Sequence, residues 1–194
     1  LAENYPLMVL LKETFTGIDS FPLMAVPFFI LAAELMSGGS LTEVLLRFAG
    51  QFVGHKRGSL GYTNVVGLTF FSGISGSALA DAAGPGAMMI RMMDKAGYDR
   101  SYAAALTAAT AIVGPIIPPS IIMIIYALQD DKVSVGQLFA AGIIPGILIA
   151  VAMCVVNYRV SKKRNYKGEG QLPPLREILL TTWRALPAIL LPVV

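Results

Sequence analysis

GYTNVVGLTFFSGISGSALADAAGPGAMMI, residues 61–90, is thirty residues long and carries one ionisable side chain, Asp81. A stretch of about 20 apolar residues is enough to cross a bilayer as a helix. Yet the centre of this one, Ser72-Gly73-Ile74-Ser75-Gly76-Ser77, is almost wholly glycine and serine. Glycine costs a helix ~1 kcal/mol relative to alanine, and serine diverts hydrogen bonds to nearby backbone. The run predicts two half-helices of about twelve to sixteen residues meeting at a Gly/Ser tip, a re-entrant hairpin that reaches roughly mid-membrane. Backbone that is not helical at that depth must be buried in protein or line a wet cavity. The hairpin is therefore already a candidate site.

The flanks carry the same message. Residues 101–128 and 138–158 contain no charged side chain. Over the whole chain 55% of residues are hydrophobic and 14% charged, where a soluble domain would have about a quarter charged. Mean hydropathy is +0.67. This excludes a disordered protein, argues against an ordinary cytosolic enzyme and predicts an all-α polytopic membrane protein. The net charge of +3 marks topology and does not point to nucleic acid. If 61–90, 101–128 and 138–158 each crossed once, eight loop lysines and arginines would lie on one side and three on the other. If 61–90 enters and leaves by one face, the division is ten against one, with Lys132 alone outside. The positive-inside rule selects the second threading.

Further out, residues 21–36 form a short apolar segment with Pro27 and Glu34, closed by Ser37-Gly38-Gly39-Ser40. In LTEVLLRFAGQFVG (41–54), Leu41, Val44, Leu45, Phe48 and Phe52 share one face, while Glu43, Arg47 and Gln51 take the other. That pattern predicts an amphipathic helix lying in the interface. Residues 161–177 read as a polar loop, followed by an apolar segment with Trp183 and Arg184 as interfacial anchors. The chain starts at Leu1 and stops inside an apolar run at Val194, and reads as a piece of a longer membrane protein. Its one cysteine, Cys154, is expected to be a small packed hydrophobe.

A second interruption, Gly114-Pro115-Ile116-Ile117-Pro118-Pro119-Ser120, falls in the middle of 101–128. Each proline lacks an N–H, so the carbonyl four residues earlier loses its helical partner. Pro115 frees Ala111, Pro118 frees Gly114 and Pro119 frees Pro115. Unpaired carbonyls at mid-membrane cost several kcal/mol each unless something satisfies them. Hydroxyls of Thr107, Thr110 or Ser120 can do so in a plain kink. Two successive broken helices favour a cation instead, because hard cations prefer oxygen ligands and unwound carbonyls hold Na⁺ in transporters.

The segment SGISGSALADAAGPGAMMIRMMDKAGYDRSYAAALTAATAIVGPIIPPS (72–120) resembles the large membrane subunit of TRAP transporters, the tripartite ATP-independent periplasmic uptake systems. The resemblance covers essentially the whole chain, which looks like the first of two inverted halves. It implies an elevator-type fold of the ion-transporter superfamily in the bacterial inner membrane. On that reading residues 1–60 supply scaffold helices and the interfacial arm. Residues 61–160 supply a transport-domain half: hairpin 61–93, broken helix 101–128 and helix 138–160. Residues 161–194 form a cytoplasmic loop and the start of the next scaffold helix. The implied activity is sodium-coupled uptake of an organic acid, of the sialic acid or C4-dicarboxylate class. The implied partners are a small (Q-type) membrane subunit, a periplasmic substrate-binding protein and membrane lipid.

Na⁺ is expected between tip and break, held mainly by carbonyls, from Gly73, Ser75, Ser77, Gly114, Ile117 and Pro119. The hydroxyls of Ser75 and Ser77 would add to the cage. Substrate is expected at Ser75, Gly76, Ser77, Thr110 and Ser120, with the half-helix that begins near Ser77 turning its positive end to an anionic group. Asp81 reads equally as a group that tunes the hairpin or ion site or as a hydrogen-bonded partner of tip backbone groups. Met88, Met89, Met92 and Met93 read as adaptable packing, and Gly142-x-x-x-Gly146 as a small-residue packing face. Glu34 should snorkel, and His55 should be a loop charge. Two rivals use the same features. Gly73-Ile74-Ser75-Gly76 matches the G-x-S-G of intramembrane serine proteases, but the one histidine, His55, lies in a loop. Broken helices also build channel filters.

Overall fold

The computed structural model describes residues 7–18, 27–28, 30–31, 40–129, 132–168, 178–179, 181–183 and 185–186. The expectations for Glu34, for most of segments 21–36 and 37–40, for loop 169–177 and for Arg184 lie outside those residues. All regular structure among the described residues is helical. The helices are α1 (Leu7–Ile18), α2 (Ser40–Val53), α3 (Ser59–Ser75), α4 (Ala78–Asp81), α5 (Ala87–Lys95), α6 (Arg100–Ala111), α7 (Ile121–Ala127) and α8 (Val135–Lys163). A π turn over Ala82–Gly86 joins α4 to α5.

α3 and the α4–α5 run are antiparallel arms. Ser72 Oγ donates to Asp81 Oδ2 (2.6 Å) near the turn, and Asn64 Nδ2 approaches Met93 Sδ (3.8 Å) farther down. The first arm has 17 residues, longer than its composition suggested, because the chain stays helical through Gly73 and Ile74 and breaks only at Gly76. There φ is +59° and the Gly76 N–H closes the arm on the Ser72 carbonyl (3.1 Å). The π turn in the second arm was not anticipated from the sequence. Its signal is Pro85, which cannot donate to the Asp81 carbonyl, so the helix widens by one residue around it.

The core lies where α2, α3, α5 and α6 meet, with Leu46, Leu60, Val65, Met89, Met93 and Leu106 among its buried side chains. Met89 and Met93 are thus packing residues, as expected of them from the sequence. The buried face of α2 differs from the expected one: Leu45, Leu46, Phe48 and Ala49 are buried, while Phe52 is 51% exposed. The reason is α3. A Cβ at Gly67 would stand 2.6 Å from Leu46 Cδ2, so the bare glycine admits Leu46 and sets the rotation of α2.

α8 is 29 residues long, and by length and composition it is long and apolar enough to cross a membrane. Only 11% of its most apolar stretch is buried within the chain, and Ile143, Ile144, Ile147, Leu148 and Val151 point outward. Its inner face carries Gly142 and Gly146. A Cβ at Gly142 would stand 2.2 Å from the Ile116 carbonyl oxygen, and one at Gly146 2.3 Å from Ile117 Cγ1. The small-residue face therefore receives the proline-rich break.

The far end of α8 closes onto the base of the hairpin. Asn157 Nδ2 donates to the Gly58 carbonyl (3.1 Å), and Tyr102 Oη donates to Asn157 Oδ1 (2.9 Å). The Asp99 N–H donates to Tyr166 Oη (3.1 Å), and Arg164 lies 3.3 Å from the Asp99 carboxylate. The Tyr102 N–H and Arg164 hold the Asp99 carboxyl below its ordinary range. The turns holding Lys56-Arg57 and Lys95-Arg100 and the basic tail of α8 thus meet at one end of the molecule.

Candidate functional site

The break is built from ordinary capping chemistry carried out in an apolar setting. α6 ends at Ala111, and Val113, Gly114 and Ile116 each donate to the carbonyl three residues back (3.0, 3.0 and 2.9 Å). The Gly114 bond satisfies the Ala111 carbonyl that Pro115 had freed. Ser120, extended at φ −125° and ψ 123°, starts α7 by accepting the Met123 N–H (3.3 Å). Its hydroxyl proton goes to the Pro115 carbonyl (2.7 Å), the one freed by Pro119. The sequence suggested three orphan carbonyls, and two of them are satisfied locally. For the third, Gly114, none of the described donors bonds its carbonyl. The same holds for the carbonyls of Ile117 and Pro119.

The hairpin tip mirrors this arrangement. Ser77 is extended at φ −137° and ψ 116°, and its Oγ accepts the Ala80 N–H (3.4 Å) to start α4. Ser75 Oγ donates to Asp81 Oδ1 and accepts the Ser77 N–H (3.2 Å). Since a hydroxyl has one donor and two acceptor positions, Ser75 keeps a single free lone pair. Its proton is committed to Asp81.

Tip and break are in van der Waals contact, backbone to backbone. A Cβ at Gly76 would stand 2.5 Å from the Pro119 carbonyl oxygen and 3.2 Å from Ser120 Cα. Glycine is required there twice, by its positive φ and by this approach. A Cβ at Gly114 would stand 2.7 Å from Asp81 Oδ2 and 3.1 Å from Ala78 N, and one at Gly73 3.7 Å from the Pro118 carbonyl oxygen. The structure so gathers Gly73, Ser75, Gly76, Ser77, Gly114, Ile117, Pro119 and Ser120 into one place. Thr110 is different: fully buried, it donates to the Leu106 carbonyl (2.8 Å) within its own helix.

The arrangement can offer oxygens to a cation. The last turn of α3 points unpartnered carbonyls at its end, and the break adds that of Gly114. No group of three or more histidine, cysteine, aspartate or glutamate residues occurs among the described residues; the oxygens gathered at the contact are backbone carbonyls, the hydroxyls of Ser75 and Ser77, and the Asp81 carboxylate. Asp81 and Ser72 gain a definite place from the structure: Asp81, read equally as a tuner of the hairpin or ion site and as a partner of tip backbone groups, accepts from the hydroxyls of Ser72 and Ser75.

A family model described as the DctM component of the tripartite ATP-independent periplasmic transporter matches residues 1–194. The sialic acid TRAP transporter permease protein SiaT of Haemophilus influenzae is 50% identical over 150 residues, 77% of this chain and 24% of that protein. The sialic acid large permease protein SiaM of Vibrio cholerae is 46% identical over 155 residues, 80% of this chain and 36% of that protein. The isethionate permease protein DctMQ of Oleidesulfovibrio alaskensis is 37% identical over 193 residues, 100% of this chain and 30% of that protein. The chain thus spans about a quarter to a third of the length of these relatives. These relatives are transport proteins rather than enzymes, which removes the protease reading of Gly73–Gly76. By the extent of the family match and the identity to these permeases, the chain belongs to the DctM family of tripartite ATP-independent periplasmic transporters.

Proposed function

We propose that this chain is part of a large permease that takes up an organic acid with Na⁺ across the bacterial inner membrane by an elevator motion. The observation that carries the reading is the apposition of two helix breaks, with the Gly114 carbonyl left unpartnered at their contact. Carbonyls and hydroxyls of Gly73, Ser75, Ser77, Gly114, Ile117 and Pro119 would hold the ion. The start of the α4–α5 arm, with Gly76, Ser77 and Ser120 beside it, would receive the anionic group of the acid. Thr110, bonded within its own helix, would support α6 from behind.

Relatives named for sialic acid and isethionate support the organic-acid class. Both are anions, which suits the N–H groups at the start of the α4–α5 arm. The outward apolar face of α8, and the basic turns at one end, support a multi-pass membrane protein with the hairpin entering from the cytoplasmic face. A small membrane subunit and a periplasmic binding protein would complete the system.

Uptake by the full reconstituted complex, with candidate acids and with or without a Na⁺ gradient, tests the reading. Saturable uptake driven by the gradient is expected; flux that neither saturates nor follows Na⁺ would favour a channel. Pro118→Ala supplies an N–H for the Gly114 carbonyl and Ser75→Ala removes a hydroxyl. Together they should raise the Na⁺ concentration for half-maximal uptake roughly tenfold, the low end of what disturbing the groups around a bound metal costs. Met92→Leu should leave it unchanged. If the double variant also leaves it unchanged, the ion lies elsewhere.

A further inference from the structure

Asp81 is completely buried, lies at the contact between tip and break, and has no task in the reading above. Its two oxygens accept protons from two hydroxyls of the opposite arm, Oδ2 from Ser72 (2.6 Å) and Oδ1 from Ser75. Oδ2 also abuts Gly114, where a Cβ would stand 2.7 Å away. The ion pairs among the described residues join Arg47 to Glu43 and Arg164 to Asp99, so no cationic side chain there balances Asp81. Two hydroxyls solvate a carboxylate but do not neutralise it, and a buried charge without a counter-charge is costly. What lies beside it is the set of unpartnered carbonyls assigned above to the ion.

Resting on that sodium-coupled reading, we propose that Asp81 is a positioning residue of the cation site. Through Ser72 and Ser75 it fixes the end of the first arm, and it supplies the negative charge that the carbonyl cage lacks. A hydroxyl that donates to a carboxylate is polarised, so the remaining lone pair of Ser75 becomes a stronger ligand. Groups in that supporting position typically tune ion affinity by 10–100-fold. The ligands remain neutral, as the sequence suggested, and the charge sits one bond behind them. Gly114 is glycine on this account because the carboxylate occupies the space of its side chain.

Asp81→Asn separates this from a purely mechanical pin, since it keeps the shape and can still bond both serines while losing the charge. In the full complex it should raise the Na⁺ concentration for half-maximal uptake at least tenfold and change the maximal rate less. The Na⁺-dependent rise in Tm of the purified complex should move to higher Na⁺ by the same factor. A mechanical pin would instead lower yield or maximal rate with both Na⁺ dependences unmoved, and that result overturns the proposal. If Asp81→Asn gives no folded complex, Ser72→Ala decides: it releases one carboxylate oxygen, and a several-fold rise in half-saturating Na⁺ is expected. No rise would overturn the proposal. If Ser75→Ala shifts the Na⁺ dependence but neither other variant does, the sodium reading stands and this inference falls. If neither uptake nor Tm of the unaltered complex responds to Na⁺, the sodium reading itself fails.

Discussion

Gly61, near the start of α3, shows how much one absent methyl group decides. A Cβ there would stand 2.0 Å from Asn157 Oδ1 and 2.6 Å from its Cγ. Asn157 is fully buried and links α8 to the Gly58 carbonyl and the Tyr102 hydroxyl. Gly61→Ala must push the amide out of its notch and leave those partners without it, which costs about 1–3 kcal/mol for each buried group stranded. A clear drop in Tm of the purified complex is the expected result, and an unchanged Tm would mean that the amide is not seated there. None of this could be read from sequence. Asn157 is a single polar residue inside an apolar run, and its partners lie 99 and 55 positions away. The serines of the tip were readable because their role is local: an N-cap needs only the N–H groups two or three residues ahead.

At the scale of elements, α2 and α3 make the contact that an elevator would have to slide. A Cβ built at Gly67 would lie 3.8 Å from that of Ala49, within the range a disulfide spans. Ala49→Cys with Gly67→Cys should therefore cross-link on oxidation once the flexible end of Leu46 gives way. If the hairpin moves past α2 during transport, the oxidised pair should abolish uptake and a reductant should restore it. Full uptake by fully cross-linked protein would put α2 in the moving body. The two breaks were legible at this scale, since proline and glycine act on their own helix. The rotation of α2 was not, because its amphipathic pattern leaves two adjacent faces open and Gly67, on another helix, chooses between them.

For the whole molecule, the meeting of the α2–α3 turn, the α5–α6 turn and the end of α8 can be tested by labelling. Single cysteines at Lys56, Lys95 and Lys163 should react with an impermeant reagent from the cytoplasmic side, and one at Lys132 from the periplasmic side. Reaction of Lys56→Cys and Lys95→Cys from opposite faces would end the hairpin arrangement.

The sequence by itself determined the membrane class, the places where helices stop and the grouping of basic turns, because each depends on composition or on atoms within about five residues. It also narrowed the site to a tip and a break. Only the tertiary structure decided that these two touch and that Asp81 binds Ser72 and Ser75. Those outcomes turn on close approaches between groups on different helices, such as the 2.6 Å from Ser72 Oγ to Asp81 Oδ2. A carbonyl freed by proline is capped by a donor of its own turn, as Gly114 and Ser120 cap Ala111 and Pro115, whereas whether the tip meets the break depends on how α3, α6 and α8 pack.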